Sequence, residues 1–147
     1  MKVVVQRVSR AQVTVNERIT GEIKNGLLLL VGIHEEDRDE ILEWVCNKIL
    51  KLRIFEDEEG KMNLSVGDID GEILIVSQFT LYGDIEKGNR PSFVKAAKPD
   101  KAEKIYDQMI EYFKRKMNKS VQSGVFGAMM DVELTNKGPV TILVERE

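Results

Sequence analysis

The run Leu27 to Ile33, LLLLVGI, has no polar face. Successive side chains of a strand point to opposite sides, so a strand apolar at every position is covered on both faces and belongs in the middle of a sheet. A second such run, Ile73 to Val76, continues into Ser77, Gln78, Phe79 and Thr80 before the chain turns at Tyr82-Gly83-Asp84. A buried hydroxyl or amide without a partner costs about 1–3 kcal/mol. The polar end of this strand is therefore answered either by a hydrogen-bond network of the protein's own or by a bound substrate.

The rest of the chain supplies elements to surround these strands. Residues 2–8 and 13–15 alternate in the strand period, with Val4, Gln6 and Val8 on one face. Asn16-Glu17 reads as a turn into Ile19 to Ile23, making an antiparallel pair, and Asn25-Gly26 turns into the LLLLVGI strand. From Asp37 to Leu52 the period changes: Ile41, Val45, Ile49 and Leu52 make a helical stripe joined by Leu42 and Cys46, with Asp37 or Asp39 as its cap. Residues 83–98 show no periodicity and read as a long loop. Pro99 opens a second helix with Ala102, Ile105, Met109, Ile110, Phe113 and Met117 as its apolar stripe. Further strands are expected around Val121, over Met129 to Leu134 and over Val140 to Val144, the last two separated by Asn136-Lys137-Gly138-Pro139. The pattern predicts one α+β domain over residues 1–147, a mixed or antiparallel, barrel-like sheet carrying two main helices.

The chemistry available is limited. His34 is the only histidine, so a Ser-His-Asp or Cys-His machine has one possible base, and beside Glu35 and Glu36 it reads as a surface residue. Cys46, the only cysteine, lies on the helix stripe and reads as core; no internal disulfide is possible, which fits a reducing, cytosolic compartment. One His and one Cys far apart make no metal site, and neither a GxGxxG nor a Walker loop suggests a nucleotide cofactor. The carboxylate runs, such as Glu56-Asp57-Glu58-Glu59, read as solvated turns. No apolar run is long enough to span a bilayer.

The net charge of −3 gives no global attraction to nucleic acid, which leaves local patches. Lys114, Arg115, Lys116 and Lys119 end the second helix, where cations suit both a phosphate and the helix dipole. Lys87 and Arg90, in the loop after the polar strand end, are better placed for a nucleic-acid end. Within SQFT, strand alternation puts Gln78 and Thr80 on one face and Ser77 and Phe79 on the other. A structural hydrogen-bond cluster and a binding site both fit that arrangement.

Over almost its whole length the chain resembles the D-aminoacyl-tRNA deacylases. The likeness lies in KVVVQRVSRAQVTV, NKILKLRIFEDEEGKMNLS, SQFTLYGD, KGNRPSF, SGVFGAMMDVEL and NKGPVT, of which SQFT and the Gly138-Pro139 pair are the most specific. Ser123 stands where Thr is expected, Lys137 where an acid is common and Gly83 where Ala is common.

The resemblance implies hydrolysis of the ester between a D-amino acid and the 3′-terminal adenosine of tRNA, with glycine also accepted. It implies no cofactor and a homodimer, in which a cis Gly138-Pro139 turn of one subunit enters the other's active site and leaves no room for an L side chain. Ser77, Gln78, Phe79 and Thr80 would form the catalytic pocket, with backbone N–H groups near Phe79 facing the oxyanion. Phe126, Gly127, Ala128 and Met130 would pack near the adenosine, although the aromatic and the thioether equally suit a core. The attacking water would be positioned by the vicinal ribose hydroxyl, or else Thr80 would attack as a covalent nucleophile, for which no base is evident nearby. Two other functions compete: a non-catalytic nucleic-acid-binding module using Lys87 and Arg90, and editing of L-seryl-tRNA as in a similar domain of some threonyl-tRNA synthetases.

Overall fold

The computed structural model describes residues 1–147. Eight strands, two α-helices and one 3₁₀ turn follow in the order β1 (Lys2–Val15), β2 (Arg18–Ile23), β3 (Gly26–Gly32), α1 (Asp39–Lys51), β4 (Phe55–Glu56), β5 (Met62–Leu64), β6 (Glu72–Ser77), the 3₁₀ turn (Phe79–Tyr82), α2 (Pro99–Lys116), β7 (Val121–Ser123) and β8 (Asp131–Glu145). The main sheet runs β2-β1-β3-β6-β7, with β8 on the other edge of β1; β4 and β5 form a separate hairpin. β3, β6 and β7 are mutually parallel, and the remaining pairings are antiparallel. β2 curls over β6 and β7, so the mixed sheet nearly closes into a barrel. The expected α+β, barrel-like architecture with two helices is the one observed.

The two apolar strands are central because both of their faces are covered. Leu27, Leu29 and Val31 of β3, with Ile73 and Ile75 of β6, face the helices and meet Val45, Ile49, Ile105, Met109 and Phe113. The alternate residues Leu28, Leu74 and Val76 point into the barrel, against Val8, Ala11, Val13 and Ile23. Full burial of a side chain of this size stabilises by about 1.5–3 kcal/mol, so layers on both faces give these short strands much of their stability.

The helices follow their stripes. α1 buries Leu42, Val45, Cys46 and Ile49, spaced to share one face, and α2 starts with Pro99, whose missing N–H costs nothing at that position. Burial lifts the Cys46 thiol to about 12, as befits a core residue without nucleophilic character. The Asn16-Glu17 turn has positive φ at both residues, the geometry that matches the twist of a two-residue hairpin. No helix is long and apolar enough to cross a membrane.

Three local expectations are corrected. The strand of residues 73–80 ends at Ser77: β3 stops at Gly32, the N–H of Gln78 makes a last bond to the Val31 carbonyl (2.7 Å), and the backbone winds into the 3₁₀ turn. Val8 keeps the face of Val4 and Gln6, since Val4, Gln6 and Val8 stand opposite Leu30, Leu28 and Gly26 in an unbroken register with β3, and it is the one of them fully buried in the barrel. The two predicted C-terminal strands are one, β8, which begins at Asp131 and carries residues 137–140 as an excursion between the Val8–Asn136 and Gln6–Thr141 pairs.

Asp37 and Asp39 do not cap α1, whose N-cap is Arg38 without a side-chain bond. Asp37 instead takes the Met1 ammonium on Oδ1 (2.8 Å) and the His34 N–H on Oδ2 (2.8 Å), with both charged groups sealed from solvent. Removing one member of a buried ion pair strands the other. Asp37→Ala, in protein with a free Met1 amine, is therefore expected to lower stability by about 3 kcal/mol or more, read as a lower midpoint in denaturant unfolding.

Candidate functional site

Ligands of sheet proteins with parallel strands bind beyond the carboxyl ends of those strands, where the backbone diverges. Here β3, β6 and β7 all end on the same side, and a cleft of about 660 Å³ opens there. One wall comes from Ser77, Gln78 and Phe79 at the end of β6; another comes from Phe126, Gly127, Ala128 and Met130 after β7. The floor includes Val31, Ile33 and Val76, and the start of α2 closes it with Lys98, Pro99 and Ala102. The walls are mostly apolar, and Lys98 is the one charged residue among them.

A single carbonyl joins the two walls. Ile75 O accepts from Gly124 N–H (2.9 Å) and from the hydroxyl of buried Tyr106 (2.8 Å). The Tyr106 ring rests against Phe126, with 5.7 Å between centroids. Helix α2 thus fixes the end of β6 and the segment after β7 relative to each other. Gly124 completes the arrangement: a Cβ there would lie 2.6 Å from Met130 Sδ, so the absence of a side chain lets the thioether pack against the wall.

At the end of β6, Gln78 Nε2 donates to Thr80 Oγ1. The two residues were expected to share a strand face; they meet across the start of the 3₁₀ turn instead. The first N–H groups of a helical turn have no partner within it, and neither the Phe79 nor the Thr80 N–H has an acceptor in the chain. Phe79 is half exposed and packs edge-on against Phe93, 5.0 Å between centroids.

Of the residues singled out from the sequence, Ser77, Gln78, Phe79, Phe126, Gly127, Ala128 and Met130 share this cleft, while Thr80 sits outside its lining. Gly138 and Pro139 are elsewhere, exposed on the excursion of β8. The peptide between them is cis, and Gly138 has φ of +124°, a region that favours glycine. Arg7 lies beneath this turn, 6% exposed, with Nε donating to Lys137 O (3.0 Å) and Nη1 to Ile54 O (2.7 Å). Asn136 spans its base, accepting from Val140 N–H (3.2 Å) and donating to Thr141 Oγ1 (2.9 Å).

His34 accepts from Glu36 N–H at Nδ1 (3.1 Å), stacks near Tyr82 and takes no part in the cleft. The cations at the end of α2 are also remote, because the cleft meets the helix at its start and an 18-residue helix is about 27 Å long. Lys98, Phe93, Ala97 and Ala102 were not read as site residues. Phe93 stood within the KGNRPSF stretch, but a buried alanine on a helix stripe carries no local signal of a cleft.

The matches to known proteins agree with this fold. A family profile described as D-Tyr-tRNA(Tyr) deacylase matches residues 4–145. Proteins named D-aminoacyl-tRNA deacylase from Thermotoga petrophila and a Geobacillus species are 55% and 58% identical, each over 99% of this chain and over 97% and 95% of their own lengths. A solved structure named c-Myc DNA Unwinding Element Binding Protein superposes with a TM-score of 0.95 at 45% identity, covering 100% of this chain and 99% of that one. A probable eukaryotic D-amino acid tRNA deacylase shares the fold, with a TM-score of 0.81 at 21% identity and 97% of each chain covered. The family profile and the relatives define a hydrolase. The chain belongs to the D-aminoacyl-tRNA deacylase family.

Gly124→Ala is expected to push the flexible Met130 side chain off its wall at a cost of only about 1 kcal/mol in stability. KM for the deacylase substrate should rise several-fold while the melting temperature moves little, which steady-state kinetics beside a thermal melt will check.

Proposed function

We propose that this chain hydrolyses the ester linking a D-amino acid to the 3′-terminal adenosine of tRNA, and the glycyl ester on tRNA-Ala, releasing the amino acid and free tRNA in the cytosol. The carrying observation is the cleft itself: mostly apolar walls of a size for a nucleoside, a polar lip of Ser77 and Gln78, an unclaimed N–H at Phe79 with a second at Thr80 just beyond the lining, and neither carboxylate nor imidazole. The relatives from Thermotoga petrophila and Geobacillus carry the corresponding name.

An aminoacyl ester is already reactive, so orientation and charge stabilisation suffice. The ester carbonyl would lie against the Phe79 and Thr80 N–H groups, which stabilise the oxyanion as water adds to the carbonyl carbon. The vicinal ribose hydroxyl would hold that water, and the C–O bond to the ribose then breaks with the proton passing to the leaving oxygen. Phe126, Gly127, Ala128 and Met130 would bear on the adenine. Thr80 is disfavoured as a nucleophile because its hydroxyl is bonded to an amide rather than a base, and the only charged lining residue is a lysine.

Selection of the D isomer would come from a second copy of the chain, whose Gly138-Pro139 turn enters the cleft and excludes an L side chain. In support, the turn is exposed, stands outside the cleft of its own chain and is fastened from below by Arg7. The name of the 45%-identical structure suggests a second reading, DNA binding. That reading has no use for the cleft.

Purified protein is expected to release D-Tyr from D-Tyr-tRNA while leaving L-Tyr-tRNA largely intact; equal rates on the two esters would end the proposal. Thr80→Ala is expected to retain most of the turnover, and complete loss together with a trapped acyl-enzyme would replace the ribose-assisted route with the covalent one.

A further inference from the structure

The segment from Lys87 to Lys98, KGNRPSFVKAAK, holds four cations and no acid in a chain of net charge −3. Lys87, Arg90, Lys95 and Lys98 are all exposed, and none lies within ion-pair distance of a carboxylate. Two neighbouring acids are engaged with backbone: Asp84 accepts from Glu86 N–H (3.0 Å) and Glu35 from Lys98 N–H (3.0 Å).

The segment is also fastened. Asp84 and Ser92 exchange backbone bonds, Glu35 N–H binds Lys95 O (3.1 Å) and Ala97 N–H binds Ile33 O (2.9 Å). It leads directly to the cleft, since Phe93 and Lys98 both line it and Phe93 packs against Phe79 at the lip. Unpaired cations along an ordered backbone beside half-exposed aromatic rings are the means by which proteins hold single-stranded nucleic acid without reading its sequence.

We propose that this strip is the track for the phosphates that precede the terminal nucleoside. The single-stranded 3′ end of the tRNA lies over Lys87, Arg90, Lys95 and Lys98 while its last sugar and ester enter the cleft. The inference rests on the deacylase reading and adds to it the surface that separates a whole tRNA from an isolated aminoacyl nucleoside. The acidic remainder of the protein repels the rest of the polyanion, so binding is confined to this edge.

The test compares D-Tyr-tRNA with the D-tyrosyl ester of adenosine, which has no phosphates, using the full chain. The triple variant Lys87→Gln/Arg90→Gln/Lys95→Gln is expected to raise KM for D-Tyr-tRNA about tenfold or more at low salt. It should also flatten the dependence of log KM on log salt by about 2, since each phosphate contact on a single strand contributes roughly 0.7. Its rate on the nucleoside ester should equal that of the parent, and a matched Lys114→Gln/Arg115→Gln/Lys116→Gln variant should alter neither substrate. An unchanged KM and salt slope for D-Tyr-tRNA overturns the proposal, as does equal impairment on both substrates, which would mean the loop merely shapes the cleft. A parent protein inactive on both esters would instead refute the deacylase reading on which the inference stands.

Discussion

The parallel pairing of β3 with β6 is the constraint from which the rest of the molecule follows. Two short strands without a polar face can exist only if something covers each side. In this chain the helices cover one side through Val45, Ile49, Met109 and Phe113, and the barrel interior covers the other through Val8, Val13 and Ile23. Because the strands are parallel they also end together, and β7 joins them in the same direction. The cleft is thus a product of packing: once the strands are buried, their carboxyl ends open at one place, where the backbone must turn and its donors are left free.

This origin explains why the site carries so little ionisable chemistry. The side chains at the end of β6, Ser77, Gln78 and Phe79, are neutral, and the Phe79 and Thr80 N–H groups are fixed dipoles that need no protonation state. Preorganised dipoles of this sort are most effective in surroundings poor in water. Cys46, by contrast, is nucleophilic only by residue type, since its surroundings hold the thiol at about 12. Of the hydroxyl and amide that close the apolar run Ile73 to Val76, the amide of Gln78 bonds to Thr80, and both Ser77 and Gln78 line the cleft.

Much of the fold was legible because it rests on periodicity. The stripes of α1 and α2, the Asn16-Glu17 turn and the central position of LLLLVGI are local patterns that burial rewards directly. What was not legible depended on partners distant in sequence. The strand ending in Ser77 stops there because β3 stops at Gly32, and β8 resumes after Pro139 because β1 pairs with it on both sides of residues 137–140. Asp37 looked like a helix cap, yet a free ammonium 36 residues away offers it a stronger interaction. In the candidate site, the residues of SQFT and of Phe126 to Met130 were identified through resemblance rather than spacing. Ala102 and Lys98 joined the cleft only through the placement of a helix start.

The continuity of β8 has a mechanical consequence. A Gly-Pro turn at the tip of an ordinary loop would sway with the loop. Here the turn is an outward step in a strand that is laddered to β1 before and after it and anchored on a sunken guanidinium. Its two ends are accordingly set by the barrel wall, and the turn has no free stem about which to swing.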